Sequence, residues 1–294
     1  NNKLRVVFHF MYDSLGQNNL PKEEARAYAH SLIEWCNKFL YAEEFPSLYD
    51  GPDTSAFSKG YSYEITPSTN NPDDDGIYFH NDQALYAFVA YGKNTNNYNR
   101  EVIRKYQTSS DSFLNIFMMP HHPDSVLSPT YKARRNGIAL GYSVKVSGYF
   151  SNKHSADAFC GLVNHEIGHI LGLSHSWNSN DGCDDTPKHS NCWIKSDEPP
   201  CDSAYSNNMM DYNAWQNALT PCQISRIKRN LTRWNSRQRH LVIPSWCNLQ
   251  DTIMIRESVV WEGERDLNSD VIIENGGTLH IKCRTSMPKN AQFL

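Results

Sequence analysis

His165-Glu166-Ile167-Gly168-His169-Ile170-Leu171-Gly172-Leu173-Ser174-His175 (HEIGHILGLSH) is the stretch on which the reading of this chain turns. Residues four apart share a helix face, so a helix aims the imidazoles of His165 and His169 at one point. Glu166 lies at the adjacent angular position, close enough to touch a metal-bound water without being a ligand. Gly172 admits the left-handed turn that stops a helix, and the chain can then double back to supply His175. Three imidazoles suit Zn²⁺, and three protein ligands leave a fourth position open, as catalytic rather than structural sites do. Such a zinc lowers the pKa of its water to about 7 and polarises a scissile carbonyl. Glu166 would take the water's proton and pass it to the leaving amine. The expected chemistry is peptide-bond hydrolysis with one catalytic zinc.

The surroundings agree with a helix here. Leu162, Val163, Ile167, Ile170 and Leu171 form an apolar face on a helix expected over about 156–171, with Ser155 as N-cap. Upstream, Lys3 to Met11 reads as a strand, and Pro21 followed by Glu23-Glu24 opens a helix reaching about Tyr41. Tyr61–Ile65, Gly76–Phe79 and Ser112–Met119 read as strands, Tyr98–Tyr106 as a helix, and Gly137–Phe150 as extended. Segment 176–208 is polar and irregular, the kind of stretch that is functional or pinned by a crosslink or metal. A last helix is expected over about 220–235. From about His240 the character changes to short strand-like runs (Thr252–Ile255, Val271–Ile273, Leu279–Ile281), with Asn275-Gly276-Gly277 as a turn and no convincing internal repeat.

Composition narrows the function classes. The 294 residues, 39% hydrophobic, suffice for one sizeable core and a smaller module. A net charge of −4 with scattered Lys and Arg argues against nucleic acid as a partner. No run approaches the ~18 apolar residues of a membrane span. Eight cysteines without a C-x-x-C pair fit disulfides in an oxidising compartment, hence a secreted, extracellular or cell-surface protein.

H-E-x-x-H-x-x-G-x-x-H resembles the metzincin signature, and Asn208-Met209-Met210-Asp211-Tyr212 resembles the methionine turn of the pappalysin (ulilysin-like) family. Asp184-Asp185-Thr186-Pro187 and Leu219-Thr220-Pro221-Cys222-Gln223-Ile224 are similar to further segments of that family. The resemblance implies an α/β (α+β) metzincin-type zincin: a mixed twisted sheet with an active-site helix, followed by a small β-rich C-terminal module. The catalytic domain would span 1–240 (upper subdomain about 1–172, lower about 173–240), and the module 241–294. Met210 becomes the turn methionine, and Tyr212 the tyrosine that stabilises the tetrahedral intermediate. Leu114–Phe117 looks like the central strand, and Ile138, Ala139 and Leu140 like the edge strand above a cleft that takes a protein or peptide substrate. Trp215 and Gln216 would shape the pocket after the Met-turn; with no acidic residue there, the family's Arg preference is not transferred.

The resemblance also implies a structural Ca²⁺ near Asp181, Asp184, Asp185 and Thr186, whose oxygens suit that ion. Among the cysteines, Cys183, Cys192, Cys201 and Cys222 are expected to crosslink around the Met-turn, Cys36 to pair with Cys160, and Cys247 with Cys283. His121-His122 reads as a surface loop pair rather than a metal site. The C-terminal module would attach to further domains. The competing class is a zinc-containing binding or adhesion protein, which has no need of Glu166 beside an open metal.

Overall fold

The computed structural model describes residues 2–286 apart from 43, 52–57, 110, 132–133, 152, 178–180, 203–204, 234, 244–251, 263–264, 267–269 and 283–284. The expected Cys247–Cys283 pair lies outside the described residues. The chain divides into two compact units, Asn1–Val242 and Ile243–Leu294.

The first unit is built on β1 (Asn2–Tyr12), whose apolar residues are buried on both faces, as a central parallel strand requires. It pairs in parallel with β2 (Tyr61–Ile65) and β3 (Ile77–Asn81) along one edge, and with β4 (Leu114–Met118) on the other. Beyond β4 comes β6 (Ser143–Ser147), parallel to it, and last β5 (Asn136–Leu140), antiparallel to β6. The extended run 137–150 is thus a hairpin folded at Gly141, whose φ of 74° is one that glycine adopts freely. β5 ends the sheet, so its outer edge presents backbone groups that pair with no described strand.

On one face, Leu4, Val6, Phe8 and Phe10 of β1 pack with α1 (Lys22–Tyr41) and α4 (Ala156–Ile170) in the main core. On the other, Met11, Phe117 and Leu140 pack with Phe88 and with α2 (Glu101–Tyr106). The same face carries α3 (Pro123–Val126) in the β4–β5 connection. α5 (Pro221–Thr232) starts at a capping box in which the Thr220 hydroxyl and the Gln223 side chain satisfy each other's backbone. Two disulfides close, Cys183–Cys222 and Cys192–Cys201. Cys36 and Cys160, expected to pair, are instead buried free thiols; the Cys36 sulfur lies 3.7 Å from the Cys160 carbonyl oxygen.

The second unit corrects the sequence reading. Three ladders, all parallel, join β7 (Ile253–Ile255) to β10 (Val271–Ile273), β8 (Ser258–Trp261) to β11 (Thr278–Ile281), and β9 (Arg265–Asp266) to β12 (Thr285–Ser286). The chain therefore makes two successive coils of three strands: an internal repeat. Its register is 18 residues in the first ladder and 20 in the other two, because the Asn275-Gly276-Gly277 corner adds two residues. That drift in period hides the repeat from inspection. The corner, with Gly276 at φ 93°, joins strands of different ladders and closes no hairpin. Ile255, Trp261 and Val271 form the small core.

Candidate metal centre

α4 carries the motif to the floor of the first unit. Its last turn runs into Gly172, at φ 98°, with Leu173 N–H donating to the Gly168 carbonyl. The Asn230 amide of α5 seals this end by donating to the Leu171 carbonyl at 2.8 Å. The reversal brings His175 back to the helix. The Nε2 atoms of His165, His169 and His175 then stand 3.2, 3.2 and 3.1 Å from one another.

Such a triangle can be tested against a metal. The Nδ1 of His165 donates to the Met209 carbonyl at 2.8 Å, and that of His169 to the Leu173 carbonyl at 2.9 Å. These bonds place the ring proton on Nδ1, so two Nε2 lone pairs converge with no hydrogen between them. Burial holds His165 down at about 3 and His175 at about 4, and lowers His169 too, which keeps all three rings neutral. Nitrogens at this spacing fit a common cation about 2.0–2.1 Å away, with angles of roughly 100°. The three histidines therefore suit zinc as a donor set. They are one of two metal-capable clusters among the described residues; the other contains the two sulfurs of the Cys183–Cys222 disulfide, which cannot act as thiolates.

Glu166 is buried beside the triad and accepts the Ala139 N–H of β5. Burial pushes its carboxyl up to about 7, against the opposing pull of that hydrogen bond. Gly137 makes room for it: a Cβ there would sit 2.9 Å from both Cγ and Oε1 of Glu166. Met210 is fully buried against Gly168, under the helix turn between the two histidines. Tyr212 is half exposed, its ring centroid 5.6 Å from His165 and 5.1 Å from His175. Burial and the Glu166 charge raise its pKa, so it stays a proton donor at neutral pH.

Several supporting contacts join residues far apart in the chain and leave no local signal in the sequence. Asp211 is buried and accepts from the Ser176 hydroxyl (2.6 Å), the Ser206 hydroxyl (2.7 Å) and His189 Nε2 (2.9 Å), which ties the loop after His175 to the Met-turn. Burial acts to raise its pKa, but these bonds prevail and hold it below the carboxylate range; the same contact raises His189 against its own burial. Trp177 stacks on His175 at 4.1 Å and lies 4.6 Å from Tyr212.

The expected pocket residues separate. Ala139 faces α4, whereas Ile138 and Leu140 turn their side chains to the opposite core, leaving only their backbone to the cleft. Trp215 is 40% exposed. Gln216, expected beside it, is buried instead, and its amide donates to the Asp211 carbonyl at 3.0 Å, bracing the Met-turn. In the candidate calcium segment both Asp185 oxygens accept protein donors, Thr220 Oγ1 and Cys222 N–H, at the start of α5. Asp181 accepts from Cys183 N–H and the Thr186 hydroxyl, and Asp184 is exposed. Protein donors thus hold Asp181 and Asp185 in place. Of the histidine pair after β4, His122 is exposed at its side chain but His121 is buried, held by Tyr131 and Asn136.

Residues 96–232 match the peptidase M43 family model, described as pregnancy-associated plasma protein-A. No curated protein matches the sequence. Among solved structures, mature mirolysin of Tannerella forsythia in complex with a cleaved peptide is 18% identical, with a TM-score of 0.56 over 83% of this chain and 96% of that one. Mirolysin in complex with a small compound gives a TM-score of 0.55 at the same identity and coverage. A promirolysin mutant of T. forsythia gives 0.56 at 18% identity, over 82% of this chain and 84% of that one. The fold and the histidine triad agree with the family match over residues 96–232, where the chain is similar to the pappalysin-type metzincins of peptidase family M43, and it is a zinc metalloendopeptidase.

Proposed function

We propose that this is a secreted endopeptidase in which Glu166 is the acid/base and Tyr212 stabilises the transition state. The observation that carries the reading is the placement of Glu166: buried, alongside three converging imidazoles, and hydrogen-bonded to the edge strand. His165, His169 and His175 would hold the zinc, which would supply Lewis acidity towards the scissile carbonyl and the attacking water. Glu166, buried beside the histidines and held by the Ala139 N–H, stands where it can accept a proton from the water and deliver it to the leaving nitrogen. The Tyr212 hydroxyl donates to the developing oxyanion. An extended peptide pairs with the open edge of β5, and Trp215 flanks the pocket below it. The cleaved peptide seen with mirolysin supports a peptide as substrate. Two disulfides support an oxidising compartment, and no described helix is long and apolar enough to cross a membrane. Residues 1–240 form the catalytic domain in this reading, and 241–294 a module for attachment to further domains.

Glu166→Gln tests the assignment on a peptide library, with zinc content measured in parallel. Turnover is expected to fall by on the order of 10²–10⁴ with zinc retained. Equal turnover by parent and variant would refute the role of Glu166.

A further inference from the structure

A second cavity of about 640 Å³ opens on the far face of the sheet, between the segment after Phe88 and the β4–β5 connection. It adjoins the cleft. Asn136, on its wall, is the first residue of β5, and Ala139, three residues on, meets Glu166. At the rise of a strand, that places the cavity ~10 Å from the catalytic carboxyl along the edge strand. Tyr91, on the opposite wall, is near enough to Tyr212 to influence its ionisation.

The lining has a built polarity. The Asn136 amide nitrogen donates to the Arg134 carbonyl at 2.9 Å, which fixes the orientation of the amide. The same nitrogen lies 3.2 Å from Nε2 of His121, a side chain only 6% exposed, so Nε2 accepts and the ring proton sits on Nδ1. Nδ1 then donates to the Tyr131 oxygen at 2.5 Å. With its oxygen accepting from His121, Tyr131 has its own proton to give, and no acceptor for it occurs among the described residues. Arg134, an exposed residue, and Ser125 line the same cavity, and the guanidinium and hydroxyl likewise have no hydrogen-bond or ion-pair partner among the described residues. One carboxylate, Asp124, opposes them. It stands 90% exposed at the rim, 3.7 Å from His122.

Three unengaged donors, one of them cationic, facing a single solvated carboxylate favour an acceptor-rich anionic group. We infer that this cavity is a recognition pocket for an acidic side chain of the substrate. It takes a residue two or three positions beyond the scissile bond on the C-terminal side, where a peptide lying antiparallel to β5 passes Asn136. Tyr131 and Arg134 grip the carboxylate, and His121 is a positioning residue that sets the direction of the Tyr131 proton. The inference rests on the peptidase reading and extends it to specificity.

Matched peptides differing only by Glu or Gln, scanned over three positions on each side of the cleaved bond, test it. The zinc-loaded protein should show about a tenfold higher kcat/KM for Glu at the second or third position on the C-terminal side. Arg134→Gln and Tyr131→Phe should bring that Glu/Gln ratio close to one, and Asp124→Asn should raise it. A ratio near one in the parent, a preference confined to the N-terminal side, or a ratio untouched by Arg134→Gln would overturn the pocket. If no peptide is cleaved at all, the peptidase reading fails separately. Fluorescence anisotropy of the same labelled Glu and Gln peptides then decides the pocket, equal affinities refuting it.

Discussion

Replacing Gly168 with alanine probes the contact that couples the active-site helix to the Met-turn. A Cβ at this position would lie well inside van der Waals contact with the Met210 sulfur and 3.3 Å from its Cε. Overpacking of this kind costs about 1–3 kcal/mol, whereas alanine in place of glycine within a helix returns about 1 kcal/mol. Gly168→Ala is therefore expected to destabilise by roughly 0–2 kcal/mol. Met210→Ala alone, at a fully buried site, should cost about 2–5 kcal/mol. In the double variant the clash is gone, and only the helix-propensity gain remains. The two substitutions should therefore couple favourably by about 1–3 kcal/mol. Urea unfolding of the four proteins measures this. Because the Met209 carbonyl orients His165, displacement of the turn should also weaken zinc binding in Gly168→Ala, by about 10–100-fold on the scale of outer-shell changes. Additivity within about 0.5 kcal/mol, with Gly168→Ala stabilising both backgrounds equally, would refute the packing argument.

Three further outcomes are expected. His9 and His80, bonded to each other at 3.0 Å on the far face, are lowered by burial to about 3 and about 4. The unfolded chain takes up protons at these rings below about 6.5 while the folded chain does not. Stability is thus fully present above that pH and is lost as pH falls towards the folded values, at up to about 2.7 kcal/mol per pH unit for the pair. A His9→Gln/His80→Gln variant should lose that share of the slope between about pH 6 and 4.5, and an unchanged slope in urea titrations would contradict it. Removing the Cys183–Cys222 bridge, whose ends are 39 positions apart, should cost about 4 kcal/mol, and removing Cys192–Cys201, 9 positions apart, about 2.5; denaturant midpoints in the reverse order would argue against loop entropy as the main term. Gly137→Ala should displace Glu166 and lower kcat while zinc content stays at the parent level, and an unaffected kcat would show that the carboxyl has room to spare.

How much of this was legible depends on the range of the interactions involved. The triad was readable because its geometry is local: a helix repeat and one glycine turn set all three imidazoles. The positions of Met210 under the helix and Tyr212 beside the triad were signalled only by the resemblance of a short motif. Asp211 stands in that motif, yet nothing local reveals that it joins His189, 22 residues away, to Ser176. The burial of Gln216 follows from a turn that brings it beneath α4, against Gly161, which residue type alone does not disclose. Cys36 and Cys160 do lie on packed helices, as expected, but adjacency of helices does not ensure the approach of two sulfurs. In the second unit, individual strands stood out by their β-branched residues, whereas their pairing partners, 18 or 20 residues on, could not be read from period-two alternation.

The two coils of the second unit have a mechanical consequence. In a stack of parallel ladders each coil advances the chain by about 4.8 Å while using some twenty residues, so length along the stack comes in discrete steps. Anything carried at the end of such a stack would sit at a distance set by the number of coils. An insertion confined to a corner, as at Asn275–Gly277, widens one coil without changing that distance. Because each coil touches only its neighbours, stability accrues coil by coil, and spacing could be retuned by whole repeats while the catalytic unit is left as it is.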